Sequence, residues 1–307
     1  MNKQALFAAI DKVEKIASVS RFRRMLINPL KYFYAIIFRE IVYKSNKKEQ
    51  EVFCNTFFNI KMHLLLPSST DIYLTGGKSH ISELKLARFL LNNLQQGDVF
   101  LDIGAHYGYF SLLASKLVGN KGKVIAFEAS PDTYKILLKN KVQNLIPINK
   151  AVSDTDTDLI FYEFPNLFAE YNALDINQYL DEKWFADNQP REIIVQSEIL
   201  DNYLIKENIH PQIIKIDVEG AEYQVLQGAA KYLKKNAPVI AMEYLSDDRG
   251  NTGHRKAAGL LEDLSYFPNF INHHGKLSAL HNIPEYLGKN HLESDNIVFV
   301  KQVRKID

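Results

Sequence analysis

From Val99 onward the sequence alternates short, almost continuously apolar runs with segments whose apolar residues recur every three or four positions. VFLDIGA (99–105), KVIAFEA (123–129) and PINKAVS (147–153) read as strands. YFSLLASKLVG (109–119) and SPDTYKILLKNKVQN (130–144) read as helices, the second capped by Ser130 with Pro131 in its first turn. Strand, helix, strand, helix, strand implies parallel strands joined by right-handed crossovers. The rhythm resumes in QIIKIDVEG (212–220), AEYQVLQGAAKYLKKN (221–236) and APVIAMEYL (237–245). A helix near 255–264 and two strands, FINHHGKL (270–277) and NIVFVKQV (296–303), complete it. The expected fold class is α/β: an open, doubly wound, mostly parallel sheet of seven strands with the last antiparallel.

Other segments attach to this frame. VFCNTFFNIKMHLLLP (52–67) reads as a hairpin, and residues 81–94 have helical spacing. DLIFYEF (158–164) and EIIVQSEIL (192–200) look like strands around a polar, aromatic insertion, 165–191, which holds the only tryptophan, Trp184, and is either a substrate lid or a plain surface excursion. With 307 residues, 46% of them hydrophobic, the chain has the mass for one large domain plus an attachment. A net charge of +1 gives no general attraction for nucleic acid, and no such partner is expected. Cys54, the only cysteine, excludes an intrachain disulfide framework and fits a reducing compartment.

The attachment is residues 1–50, helical by periodicity and basic, with residues 51–307 as the main domain. Arg21, Arg23, Arg24, Lys31, Lys44, Lys47 and Lys48 surround YFYAIIFREIVY (32–43). That run contains Arg39 and Glu40 and falls short of the roughly 20 apolar residues a bilayer span needs. It reads as an amphipathic helix that packs on the main domain, meets another copy, or lies peripherally on an anionic membrane surface. Charges interrupt every apolar run of the first 25 residues and no cleavage pattern follows, so the expected location is the cytoplasm, with the inner membrane face as the alternative.

The first strand-to-helix turn carries the chemistry. Open sheets of this class take ligands beyond the carboxyl ends of their strands. Asp102 ends the first strand, and Gly104 and Gly108 let the backbone turn tightly and approach a ligand. Glu128 ends the second strand, where a carboxylate can accept hydrogen bonds from both ribose hydroxyls. A dinucleotide calls for G-x-G-x-x-G facing a pyrophosphate. Here the turn is D-x-G-x-x-x-G, and an aspartate would repel pyrophosphate while favouring a cationic ligand, so S-adenosylmethionine suits it better than NAD.

These residues resemble the FkbM-type methyltransferases. The resemblance rests on VFLDIGAHYGYFSLLASKLVG, KVIAFEASPDTYKILLKN, NKAVSD and, most specifically, IIKIDVEGAEYQVLQGA followed by PVIAMEY, and covers 73–245. It implies a Rossmann-like seven-stranded methyltransferase fold and methyl transfer from S-adenosylmethionine, usually to oxygen, often in sugar, polysaccharide or natural-product pathways. It places Asp102, Gly104, Ala105 and Gly108 around the methionine part, Glu128 on the ribose, Ala129 beside the adenine, and Ser153-Asp154 at the position whose acid can accept from the adenine amino group. Glu83 could reach the methionine end and Lys78 could line the same mouth. His106-Tyr107 replaces the small polar residues common in the family, changing the local wall.

An alcohol acceptor must lose its proton, which calls for a general base or a metal. Asp217 and Glu219 lie one residue apart at the end of the fourth strand, and Glu243 ends the fifth. Alternation puts the first two on one side, where oxygen ligands could hold a divalent ion, although Glu219 could equally anchor the helix that follows. Asp217 is the expected catalytic or acceptor-orienting residue, with Glu243 beside it. His254, in the loop LSDDRGNTGHRKA, could be delivered over the acceptor as a second source of base, whereas His106 reads as an ordinary loop histidine. The expected function is an S-adenosylmethionine-dependent O-methyltransferase acting on a small-molecule or glycan hydroxyl. The alternatives are a cofactor-binding scaffold without turnover and an NAD-dependent oxidoreductase.

Overall fold

The computed structural model describes residues 2–249 and 251–301. Gln302 and Val303, expected to end the final strand, lie outside that range. After the N-terminal helices come the antiparallel hairpin β1 (Gln50–Asn55) and β2 (Lys61–Leu66). β3 (Val99–Ile103), β4 (Lys123–Phe127) and β5 (Leu145–Ile148) are joined by the helices Tyr109–Val118 and Pro131–Lys139. In the second helix the Ser130 hydroxyl accepts the Thr133 N–H as an N-cap. The remaining strands are β6 (Ala151–Ser153), β7 (Asp158–Glu163), β8 (Arg191–Ile199), β9 (Ile213–Ile216), β10 (Val239–Leu245), β11 (Tyr266–Ile271), β12 (Leu277–Ala279) and β13 (Ser294–Lys301).

The main sheet has the order β12-β11-β13-β10-β9-β3-β4-β5. From β10 to β5 the strands are parallel, and β13 runs antiparallel to both β10 and β11. The α/β doubly wound class is as expected, but the sheet has eight strands rather than seven. The extra strand arises because FINHHGKL is not one strand. The Asn272 and Lys276 backbones close a turn at 2.9 Å, so β12 folds back on β11. PINKAVS also divides. Asn149 donates from Nδ2 to the carbonyls of Glu128 and Ala129, turning the chain after β5, and β6 leaves to join the separate sheet β6-β8-β7.

Alternation along the strands builds a core on each face, as a sheet covered by helices on both sides requires. Phe100, Val124, Ala126 and Ile213 pack under the helices Ile81–Asn93 and Tyr109–Val118. Leu101, Ile103, Ile125, Phe127 and Ile216 pack on the other face with Val225, Leu226 and Leu261. The helix Lys3–Ser18 adds Leu6, Ile10 and Val13 to the first core, and Arg88 pairs with its Asp11 and Glu14 at 2.7 Å. Phe38 and Tyr43 are buried in the same core, and the Tyr43 hydroxyl accepts the Leu167 N–H at 3.2 Å. The inner side of the attachment is therefore packed on the domain.

Two turns meet at the carboxyl ends of the parallel strands. Gly104 has φ +78°, and a Cβ there would lie 1.8 Å from the Asp217 carbonyl oxygen. No relaxation of a side chain can remove a backbone overlap of that size, so Gly104→Ala should cost about 3 kcal/mol or more in urea unfolding. Gly97→Ala is the control: its φ is +95° but nothing lies within 4 Å of the added carbon, so only backbone strain of about 1–2 kcal/mol is expected.

Candidate active site

A cavity of about 790 Å³ lies beyond the carboxyl ends of β3, β4, β9 and β10. Of the residues expected from the sequence, Glu83, Gly104, Glu128, Ala129, Asp217, Glu243 and Lys78 line it together. Asp102, Ala105, Gly108, Ser153, Asp154 and His254 do not. Ser153 is buried and Asp154 exposed, and neither lines the cavity, although Ala151 and Val152 of the same strand do.

Glu128 is fixed by the turn it faces. Its Oε2 accepts the His106 N–H at 2.8 Å and its Oε1 accepts the Ser130 N–H at 2.9 Å. Burial pushes its carboxyl up to about 7, with those two donors acting against the rise. Each oxygen keeps a further acceptor site, and the cavity is where it is offered. His106 is not a surface loop residue as its position in the turn suggested. Its ring lines the cavity, and Nε2 is buried with no hydrogen-bond partner among the described residues. Burial first, and then the nearby Lys78 ammonium, hold its pKa down to about 3, so the ring is neutral.

Asp102 has another role than the one its charge suggested. Register places it directly beside Lys215 on β9, on the same face of the sheet. The Lys215 ammonium lies 3.4 Å from Asp102 Oδ1 and 3.1 Å from Asp217 Oδ2, and also donates to the Gly104 carbonyl at 3.2 Å. Ser111 donates to Asp102 Oδ2 at 2.5 Å. The Asp102 charge is thus compensated beneath the turn and is not presented to a ligand. The sequence marks Lys215 only as part of the family-like block and assigns it no role, although a lysine inside IIKID had a readable meaning: a cation on a buried strand needs an acid partner.

The carboxylates facing the cavity are farther along the same side. Asp217, Glu219 and Glu243 each present an oxygen within 4.8 Å of the others, a spacing that could hold a divalent cation through oxygen ligands. Burial raises all three, but Lys215 and then Lys78 outweigh it at Asp217 and hold that carboxyl below its ordinary value. At Glu243 burial, reinforced by Asp217, pushes the pKa up to about 8. Glu219 is held well above its ordinary value by burial and then by the Glu243 charge. Lys78 pairs with Glu83 and lies 3.7 Å from Glu170, so both flank the same wall.

The 165–191 insertion covers this acidic end. Trp184 stacks on Phe168 at 4.4 Å and on Tyr171 at 5.0 Å, and Phe164, Tyr179 and Phe185 close the cluster. From it the Tyr179 hydroxyl donates to Glu219 Oε2 at 2.7 Å and Gln178 Nε2 donates to the Glu219 carbonyl at 2.9 Å. Leu167, Glu170, Tyr171 and Tyr179 complete the wall. The sequence located this segment but gave no pairing of Tyr179 with Glu219, since a contact across forty positions has no local signature.

His254 is the clear correction. It lies within the helix Thr252–Asp263, 2% exposed, rather than in a mobile loop. Its Nε2 sits 3.3 Å from Glu222 Oε2. Glu222 in turn accepts the Val218 and Gly220 N–H groups at 3.1 and 3.3 Å, across a turn where Glu219 has φ 55° and Gly220 φ 103°. His254 therefore props the acidic turn from behind and cannot reach an acceptor.

Two outcomes follow from these charges. Lys215→Met should destabilise the protein by about 3–5 kcal/mol in urea unfolding, because it strands a buried aspartate. Asp102→Asn in the same chain should recover much of that loss, while simple loss of packing would not be recovered. Glu243 binds a proton in the native state that the unfolded chain has released above its ordinary value of 4.5, so native stability falls as pH rises from there to about 8. Glu243→Gln should make unfolding midpoints at about pH 5 and about pH 8 more alike than in the parent.

Residues 102–276, more than half of the chain, match the methyltransferase FkbM domain. A hexuronic acid methyltransferase, AglP, of Haloferax volcanii is 26% identical over 155 residues, 50% of this chain and 58% of that protein. A probable cobalt-precorrin-6B C(15)-methyltransferase of Saccharolobus solfataricus is 25% identical over 128 residues, 40% of this chain and 63% of that protein. The matches thus span about three fifths of those relatives. Among solved structures, the FkbM methyltransferase of Methylobacillus flagellatus is 14% identical with a TM-score of 0.41, covering 76% of this chain and 52% of that one. The extent of the domain match, across the glycine turn, the acidic turn and β10, places this chain in the FkbM methyltransferase family.

Proposed function

We propose that this protein transfers a methyl group from S-adenosylmethionine to a hydroxyl of a sugar or glycan. One observation carries the reading: the cavity joins, in a single space, an anchored carboxylate beside a glycine turn and a group of acids beneath an aromatic cover. Family membership supports the reaction class. The likeness to a hexuronic acid methyltransferase supports a sugar as the acceptor class.

The residues fit the cofactor. When bound, S-adenosylmethionine supplies a methyl group activated on a sulfonium. Glu128 would accept from the ribose hydroxyls, being held by two backbone N–H groups in one orientation. Gly104, without a side chain, lets its turn pack against the Asp217 backbone where both line the cavity. The neutral His106 ring adds no charge to the wall beside the turn. On the acceptor side, Asp217 stays ionised through Lys215 and can orient a hydroxyl. Glu243, with its pKa raised to about 8, is matched to receiving the hydroxyl proton near neutral pH. Tyr171 and Tyr179, backed by Trp184, give the space an apolar edge, suited to the C–H face of a sugar ring.

Purified protein with methyl-labelled S-adenosylmethionine and a panel of uronic acids, hexoses and glycans should label at least one acceptor. Glu128→Ala should weaken cofactor binding about tenfold or more in calorimetry, the loss of charge-assisted hydrogen bonds to two hydroxyls. Glu243→Gln should lower turnover about a hundredfold with cofactor affinity retained, as loss of a general base does. Absence of cofactor binding by the folded protein would refute the reading.

A further inference from the structure

The helical attachment turns its inner side to the core and leaves a dense apolar face outside. Among the described residues, eighteen large apolar side chains are exposed, and nine of these lie between Phe22 and Val42. On the helix Pro29–Ile37 and its continuation Phe38–Tyr43, Leu30, Phe33, Ile37 and Ile41 follow a single stripe at three- and four-residue spacing. Leu30 is 83% exposed and Ile41 64%. Ala35, Phe38 and Tyr43 point the other way, into the domain. Phe22 and Leu26, one turn apart on the preceding helix Arg21–Ile27, extend the apolar face. Soluble chains rarely leave so many large apolar side chains uncovered in one place.

The charges around this face select its occupant. Between Ser20 and Lys48 the sequence carries eight lysines and arginines and one acid, Glu40, which is itself paired with Lys44. Exposed apolar side chains flanked by cations of one sign match the boundary of an anionic bilayer, where chains enter the acyl region and ammonium and guanidinium groups meet phosphates. No described helix is long and apolar enough to cross a membrane, so the geometry is that of a segment lying along the surface. We propose that the outer face of residues 21–42 docks the protein on an anionic lipid bilayer. Ala17, Arg24 and Arg39 also line the cavity, so this docking sets the cavity beside the membrane.

The test is sedimentation of the full chain with vesicles of phosphatidylcholine alone and of phosphatidylcholine mixed with phosphatidylglycerol. The expected result is partition onto the mixed vesicles only, weakened by salt. Leu30→Glu combined with Ile37→Glu should lower that partition about tenfold or more, since both side chains are exposed and their replacement leaves the fold intact. Ile194→Glu, an equally exposed apolar residue on β8, should leave it unchanged. Failure to bind the mixed vesicles, or binding that the double variant does not weaken, would overturn the proposal. A dimer in solution that the double variant dissociates would do the same, by assigning the face to a second copy. Vesicle binding is read without cofactor or acceptor, so its failure is separate from any failure of methyl transfer.

Discussion

A lysine inside the sheet holds the candidate active site together. Lys215 sits between Asp102 and Asp217 at 3.4 and 3.1 Å, nearly out of reach of water, and donates to the Gly104 carbonyl as well. Burying these charges is costly, and their mutual attraction offsets the cost only while all partners are present. The consequence is positional. One ammonium ties the end of β3, the glycine turn after it and the acid that follows β9, so the two sides of the cavity cannot drift apart independently.

The turn that carries Asp217 and Glu219 depends on a second buried pair. Glu222 receives two backbone N–H groups of that turn and leans on His254 of the helix Thr252–Asp263. The unusual backbone at Glu219 and Gly220 costs free energy that these contacts offset. Tyr179 then fixes the Glu219 side chain from the opposite side. Acids this close would repel one another if all were ionised, and the burial that raises Glu219 and Glu243 leaves Asp217 as the one held ionised. One paired acid beside one protonatable acid is an arrangement suited to orienting a hydroxyl and taking its proton.

Much of the fold was legible because parallel strands buried on both faces leave apolar runs with little alternation, and Ser130-Pro131 and the glycines mark where helices begin and strands end. The places where reading failed share a cause. β6 turns away because Asn149 binds two carbonyls from the end of β4, a tertiary contact that no window around PINKAVS contains. His254 looked mobile because glycine and polar residues precede it, yet the helix it belongs to packs on the acidic turn: a Cβ on Gly253 would lie 2.7 Å from the Gly220 carbonyl. Asp102 was visible as a residue of the site region, but its neutralisation by Lys215 depends on the register between strands more than a hundred positions apart.

In the proposed reaction the cofactor occupies the space between the glycine turn after β3 and the end of β4, with the acceptor beneath the aromatic cover. Hydrogen exchange measured with and without S-adenosylhomocysteine tests this directly, since amides that close around a ligand exchange more slowly. The expected result is slowed exchange in the segment 103–109 and around Glu128 to Ser130, with little change at the turn Gln95 to Asp98, which enters β3 at the opposite edge of the sheet. Slowing confined to other segments, or none at saturating ligand, would contradict it.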